Sequence, residues 1–296
     1  MPSPERAALA GHTVSRVGYG AMQLERLHDD PAAAVALLRR AAELGVDHVD
    51  TAQFYGNGFV NGVIREALGS DVLIATKVGA DPDPSGPIPL RLAQRPEELR
   101  ASVEDNLRSL GLDRIPLVNL RRADRRPGVL AEGDQRVGLD DQLAVLTALR
   151  DEGKIGAIGL SAVTLDVLRR ALPAGIACVQ NAYSLVGRDD EEMVELCVAE
   201  DIAWVPFFPL GGAFPGLPKV TDEPAVQAAA RSLGRTPAQV GLAWLLHRAP
   251  NVHLIPGTAS AAHLEANVAA ADIVLDGETL AALDAIPVRA MDASLL

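Results

Sequence analysis

Basic residues are in short supply. Against 39 Asp and Glu the chain sets 27 Lys and Arg, a formal net charge of −12 over 296 residues. Phosphate backbones and anionic lipid surfaces are gripped by clusters of Lys and Arg, so neither nucleic acid nor membrane is expected as a partner. Cysteine is scarcer still: Cys178 and Cys197 stand alone in the apolar contexts IACVQN and VELCVAE. Two cysteines build no disulfide framework, and buried free thiols in a reducing cytoplasm are expected. Long hydrophobic runs are missing as well. A long uncharged stretch, IAWVPFFPLGGAFPGL (202–217), is interrupted by proline and glycine and cannot form one spanning helix. The opening segment MPSPERAALAGH has no apolar targeting core. Nor is there a low-complexity tract, or a Pro/Gly-rich linker that would divide the chain. A single domain over residues 1–296 is therefore expected, large enough to bury a sizeable core.

What is present is an alternation. Eight short apolar runs recur: VGYGAM (17–22), DHVDTA (47–52), VLIATK (72–77), IPLVNL (115–120), IGAIGL (155–160), IACVQN (176–181), IAWVPF (202–207) and VHLIPG (252–257). Their length and β-rich composition read as buried strands. Between them lie amphipathic stretches with helix punctuation. DDPAAAVALLRRAAELG and QRPEELRASVEDNLRSLG each open with proline in the first turn and stop at glycine. Strand–helix alternation of this kind implies a parallel sheet covered by helices. Eight repeats predict a closed α/β (β/α)8 TIM barrel. A doubly wound sheet is the alternative, but GYGAM is not followed by the Gly-rich turn such a fold favours.

In a barrel of this type the active site lies at the C-terminal ends of the strands. The second run ends near Asp50, with Tyr55 five residues on, and the third ends in Lys77. A buried acid is costly unless paired, and a lysine from the adjacent strand could pair with it. Free tyrosine titrates too high to be an efficient proton donor at neutral pH, and a neighbouring ammonium is expected to lower that value. Asp50, Lys77 and Tyr55 together read as an acid–base cluster. His48 shares the face of Asp50 by period-two alternation and is read as an interior histidine.

GVDHVDTAQFYG (45–56) with IATK (74–77) resembles the aldo-keto reductases. The resemblance extends along the chain through GYGAM, GLS (159–161), VQNAYS (179–184), PFFPLG (206–211) and IPGTASAAHLEAN (255–267). It implies a barrel that binds a nicotinamide cofactor, usually NADPH, and reduces a small-molecule aldehyde or ketone to an alcohol. By motif position Tyr55 would be the proton donor, Lys77 would tune it and Asp50 would hold Lys77. The same alignment puts Gly20, Ala21, Met22, Ser161, Gln180, Phe207, Leu210, Gly211 and Gly212 against the cofactor. Ser161 and Gln180 would hold its carboxamide, and Phe207 would stack on the nicotinamide. Around the adenosine end fall Gly257, Thr258, His263 and Asn267. They lack the lysine and arginine of many relatives, so NADPH is expected with NADH possible.

The resemblance also bears on RRADRR (121–126), an arginine cluster in an acidic chain. The family's histidine after the fourth strand falls on Arg121, which is therefore expected in the site. Arg122, Arg125 and Arg126 are read as ordinary surface charge. Arginine stays protonated, so Arg121 can polarise a carbonyl oxygen or grip an acidic substrate but is a poor proton relay. An Arg121→His variant with an unchanged preference between charged and neutral aldehydes would count against such a grip.

Two other functions are open to these residues. A barrel without the histidine could bind cofactor as a regulatory module, and NADPH that never oxidises with aldehydes would show it. Lys77 could form an imine, as in aldolases, and borohydride trapping would show that. Specificity is expected in the loops 121–138 and 208–222 and in the tail 288–296, whose Leu295 and Leu296 could cover the pocket mouth. DPDPSGPIPL (81–90) reads as a mobile loop. No heptad or long apolar stripe argues for assembly, so a monomer is expected.

Overall fold

A hairpin of β1 (Arg6–Leu9) and β2 (His12–Ser15) leads the chain, turned by Ala10 and Gly11 at positive φ. The structure is a computed structural model describing residues 6–126, 128–212 and 217–290. Leu295 and Leu296 lie outside these. Next come β3 (Tyr19–Gly20), β4 (His48–Asp50) and β5 (Leu73–Val78), then a second hairpin of β6 (Ala80–Pro82) and β7 (Leu90–Leu92). The remaining strands are β8 (Ile115–Arg121), β9 (Ile155–Ser161), β10 (Ile176–Gln180) and β11 (Ala203–Trp204). Seven of them form one parallel sheet in the order β3-β4-β5-β8-β9-β10-β11.

The eighth run closes the barrel without forming a regular strand. Val252 bridges Trp204 on one side, and Leu254 bridges Val17 on the other, both in parallel sense. Leu254 donates its amide to Arg16 O at 2.7 Å, and Gly18 donates to Leu254 O at 2.8 Å. The expected TIM barrel is therefore the observed fold.

The helices surround it: α1 (Pro31–Glu43), α2 (Phe59–Ala67), α3 (Pro96–Leu110), α4 (Leu139–Asp151), α5 (Leu165–Ala171), α6 (Glu191–Ala199), α7 (Pro224–Leu233), α8 (Pro237–Arg248), α9 (Ala261–Val268) and α10 (Gly277–Asp284). Their ends follow the sequence. Asp30 caps α1 by accepting Ala33 N at 3.1 Å, with Pro31 at the first position, and Gly111 ends α3 at φ 68°.

Period-two alternation divides each strand between two cores. Val49, Ile74, Val118, Ile158 and Val179 face outward and pack against Leu38, Ile64, Leu99, Leu146, Leu168 and Val194 of the helices. Leu73, Ala75, Leu117, Cys178, Ala203 and Ile255 face inward. There they meet Leu9 and Val14 of the first hairpin. Ser15 N donates to Asp47 at 2.8 Å just before β4, so this hairpin plugs the N-terminal end of the barrel. The opposite end stays free for a site.

Two local expectations change, while the interior reading of His48 holds. Ala21 and Met22 do not extend the first strand but enter a 3-10 helix, Ala21–Leu27. The 81–90 segment is tied at both ends, because Ala80–Pro82 pairs with Leu90–Leu92. His48 lies inside the barrel, with its ring over Gly18 and edge-on to His253 at 5.6 Å. Both cysteines are buried and free, and burial pushes the Cys197 thiol up to about 12.

Candidate active site

Strand register assembles the expected cluster. Asp50 ends β4 opposite Gly20 on one side and Ala75 on the other, and Lys77 stands two residues beyond Ala75. Period-two alternation turns both side chains into the barrel. Lys77 Nζ donates to Asp50 Oδ1, to Thr51 O at 3.1 Å and to the Tyr55 hydroxyl at 3.4 Å. Gln180, from across the barrel, donates Nε2 to the other Asp50 oxygen at 2.7 Å. Both carboxylate oxygens are thus held, and the acid is 3% exposed.

Tyr55 starts a tight turn, Tyr55–Gly58, that needs left-handed backbone at Gly56, Asn57 and Gly58. A buried polar network behind the barrel wall fixes the segment leading to it. Thr51 Oγ1 donates to Asn61 Oδ1 at 2.8 Å, Asn61 Nδ2 donates to Gln53 Oε1 at 2.7 Å, and Thr76 Oγ1 donates to Asn106 Oδ1 at 2.7 Å. Asn61 and Asn106 were not anticipated. Their only sequence signal is a polar residue on the buried face of α2 and of α3.

The electrostatics differ from expectation at Tyr55. Burial pulls Lys77 down, but the Asp50 and Tyr55 beside it act more strongly and its titration is raised overall. Burial also dominates Tyr55 and raises it, although Lys77 and Arg121 pull it down. The anticipated net lowering is therefore reversed in the free chain: the phenol is held protonated.

Arg121 closes β8 in register with Ser161, and Ser161 pairs in turn with Gln180. The arginine's carbonyl is fixed by Gln94 Nε2 at 2.8 Å, and Gln142 holds Gln94 at 2.9 Å. Its guanidinium lies over the Phe54 ring, 5.6 Å from the centroid, and donates no hydrogen bond to any described residue. Burial lowers its pKa and Tyr55 raises it. The other arginines correct the surface reading. Arg122 pairs with Asp124 and donates to Gln142. Arg125 pairs with the buried Asp190 at 2.6 Å and donates to Val163 O at 3.2 Å. Of the four, only Arg126 is exposed. Two of the four thus pin the loop after β8 and leave Arg121 unopposed.

The residues expected at the cofactor divide into two groups. Ser161 and Gln180 are buried side by side, and Gln180 Oε1 has no partner among the described residues. That orphaned acceptor suits an amide N–H, as a nicotinamide carboxamide would supply. Phe207 keeps part of its ring exposed, edge-on to Phe208 at 5.1 Å. Gly20 and Gly257 meet backbone to backbone: a Cβ on Gly20 would lie 2.3 Å from Ile255 O, and one on Gly257 would lie 2.6 Å from Gly20 O. Met22 follows in the adjoining 3-10 turn beside the buried Ala21.

The second group is less engaged. Gly211 and Gly212 already donate their amides to Phe208 O at 2.9 Å and Pro218 O at 3.1 Å. Their lack of Cβ relieves packing on Pro218 and Leu217, and Leu210 O accepts Val220 N at 3.0 Å. Thr258 is buried, with its carbonyl taken by the Tyr19 hydroxyl and its Oγ1 by Ser260 N. His263 is exposed in the first turn of α9, while Asn267 is buried in the same helix. No fixed positive charge stands at Gly257, Thr258, His263 or Asn267.

The chain is similar to known proteins over most of its length. The profile of the aldo/keto reductase family matches residues 16–287. Pyridoxine 4-dehydrogenase of Escherichia coli is 43% identical over 288 residues, covering 94% of this chain and 96% of that protein. A probable aldo-keto reductase of Glycine max is 29% identical, covering 96% and 89%. Among solved structures, a Klebsiella pneumoniae aldo-keto reductase in complex with NADPH superposes with a TM-score of 0.80 at 26% identity, covering 97% and 96%. The chain belongs to the aldo/keto reductase family.

Proposed function

We propose that the protein interconverts an aldehyde or ketone and its alcohol, using NADPH as hydride carrier, with Tyr55 as the proton donor. The observation that carries the reading is the contact of Lys77 with both Asp50 and the Tyr55 hydroxyl, with Gln180 on the other Asp50 oxygen and its Oε1 unpartnered among the described residues. When bound, the cofactor supplies a hydride to the carbonyl carbon. The chain's own residues then have separate tasks. Ser161 and Gln180 hold the carboxamide, Phe207 offers a flat face, and Gly20 and Gly257 allow close approach. Tyr55 gives its proton to the carbonyl oxygen, and the Lys77 ammonium at 3.4 Å stabilises the phenolate left behind. Asp50 keeps Lys77 charged.

The likeness to pyridoxine 4-dehydrogenase supports a heteroaromatic pair, pyridoxal and pyridoxine, as the first substrates to try. The test is absorbance of reduced nicotinamide on mixing protein, NADPH and pyridoxal, with Tyr55→Phe as control. Oxidation of NADPH by the parent and not by the control supports the reading. Equal rates in both would remove Tyr55 from its role.

A further inference from the structure

Arg121 is a cation placed at the proposed reaction centre with no counter-ion among the described residues. Its guanidinium faces Tyr55 and lies over Phe54, yet donates to no described residue. The nearby acids are already occupied. Asp50 is held by Lys77 and Gln180, Asp124 by Arg122, and Asp190 by Arg125 and Asn181. An unpaired charge in a part-buried site is unfavourable, and the aromatic face beneath it offsets only a fraction of that cost. Arginine cannot shed its proton near neutral pH to relieve the strain.

Resting on the reductase reading, we infer that the missing anion arrives on the substrate: Arg121 selects aryl aldehydes that carry an acidic hydroxyl ortho to the carbonyl. The planar fork of guanidinium donors matches two oxygens held side by side, one N–H to each. An ortho-hydroxyaryl aldehyde presents such a pair, its carbonyl oxygen and its phenolate. Tyr55 then addresses the carbonyl oxygen from its own side. The carrier of the two oxygens should be flat, because the ring of Phe54 lies under Arg121. Gly128 contributes on the far side: a Cβ there would stand 3.6 Å from Arg121 Nη2, at a φ of 142° that favours glycine. Gly128 thus runs close to the guanidinium, and no described residue offers it an acceptor.

The experiment compares kcat/KM with NADPH for 2-hydroxybenzaldehyde, 2-methoxybenzaldehyde and benzaldehyde, in the parent and in Arg121→Met. The parent is expected to favour the hydroxy over the methoxy aldehyde by about tenfold or more, the range of a charge-assisted hydrogen bond. That preference should grow as pH rises through the ionisation of the aldehyde's own phenol. Arg121→Met should bring the ratio to about one. A parent ratio near one, or a ratio unchanged in the variant, overturns the inference while leaving the reductase intact. A second arm needs no turnover: 2-hydroxybenzoate is titrated into the protein and followed by intrinsic fluorescence, with uncharged 2-hydroxybenzamide as control. Tighter binding of the hydroxy acid that Arg121→Met abolishes supports the anion site, even if no aldehyde were reduced. Equal binding of the two ligands by the parent counts against it and requires no folded variant.

Discussion

Gln180 reaches across the barrel from β10 and donates Nε2 to Asp50 Oδ2 at 2.7 Å, leaving its own Oε1 buried without a partner among the described residues. One side chain therefore touches the acid that holds Lys77 and presents an acceptor toward the proposed cofactor position. Replacing it separates the two. Gln180→Met should cost about 1.5–3 kcal/mol of stability, because a charged acceptor loses its donor. It should also weaken NADPH binding, by about tenfold if one good hydrogen bond is lost. Urea unfolding and a cofactor fluorescence titration measure the two effects independently. A variant as stable as the parent with undiminished cofactor affinity would refute both roles.

The Asp50–Lys77 pair should behave as a unit. Lys77→Met leaves Asp50 buried beside Gln180 alone, and breaking such a pair costs about 3–5 kcal/mol. Asp50→Asn in the same chain should recover part of this, since no unpaired charge then remains. The pH dependence has a definite sign. Lys77 titrates higher in the folded chain, so its contribution is complete below its unfolded pKa of ~10.4 and is lost as pH rises beyond the folded value. Stability attributable to this pair should be flat across neutral pH. A loss between pH 6 and 8 that Lys77→Met abolishes would contradict the assignment.

Tyr55 carries a third prediction. Burial raises its pKa in the free chain despite two neighbouring cations, so the phenol is protonated over the whole neutral range. The basic limb of the reduction profile should therefore not begin near pH 7 or 8 through this residue. Tyr55→Phe should lower carbonyl reduction by about 10²–10⁴-fold with cofactor affinity retained. Stopped-flow reduction across pH, with the variant as baseline, checks both points.

The sequence made the barrel readable because each strand had to be apolar on both faces and each helix carried its own stop signal. It was silent on the hairpin plug at Arg6–Ser15, which is short, polar at its edges and followed by no helix. The eighth run was legible as a position but not as a strand, since only Val252 and Leu254 bridge its neighbours. At the site, Asp50 and Lys77 were readable from their places at strand ends, and Arg121 from the family resemblance. What charge–charge partners do to RRADRR was not. Asp190 lies 65 residues from Arg125, and nothing local announces that pairing. The raised pKa of Tyr55 was equally hidden, because it comes from enclosure and not from any neighbour the motif names.

That hidden pairing is itself testable. Arg125→Met removes the ion pair to Asp190, whose carboxylate is 7% exposed and keeps only Asn181. Stability should fall by about 1.5–3 kcal/mol. The loop from Arg122 onward would also lose a tether, so KM for the aldehyde should rise more than kcat falls. Arg126→Met, at an exposed position, should change stability by less than about 0.5 kcal/mol. Matching effects from the two variants would mean that the loop is not pinned at Arg125.

The cofactor's adenosine end supplies the last prediction. Phosphate recognition draws on guanidinium or ammonium groups, and the four residues aligned with that end are Gly257, Thr258, His263 and Asn267. Thr258 has both oxygens engaged within the protein, which leaves His263 as the exposed member of the four that can carry charge. Discrimination against NADH should accordingly be weak, less than about tenfold in kcat/KM, since a single charge-assisted contact is worth about 1.5–3 kcal/mol at best. His263→Arg adds a fixed charge in the first turn of α9, where helix amides already favour an anion. It should raise the NADPH preference by about tenfold and steepen its loss with added salt, without altering the rate with NADH. Parallel kinetics with the two cofactors at low and high ionic strength measure this. A parent that rejects NADH by a thousandfold would mean that residues other than these four read the phosphate.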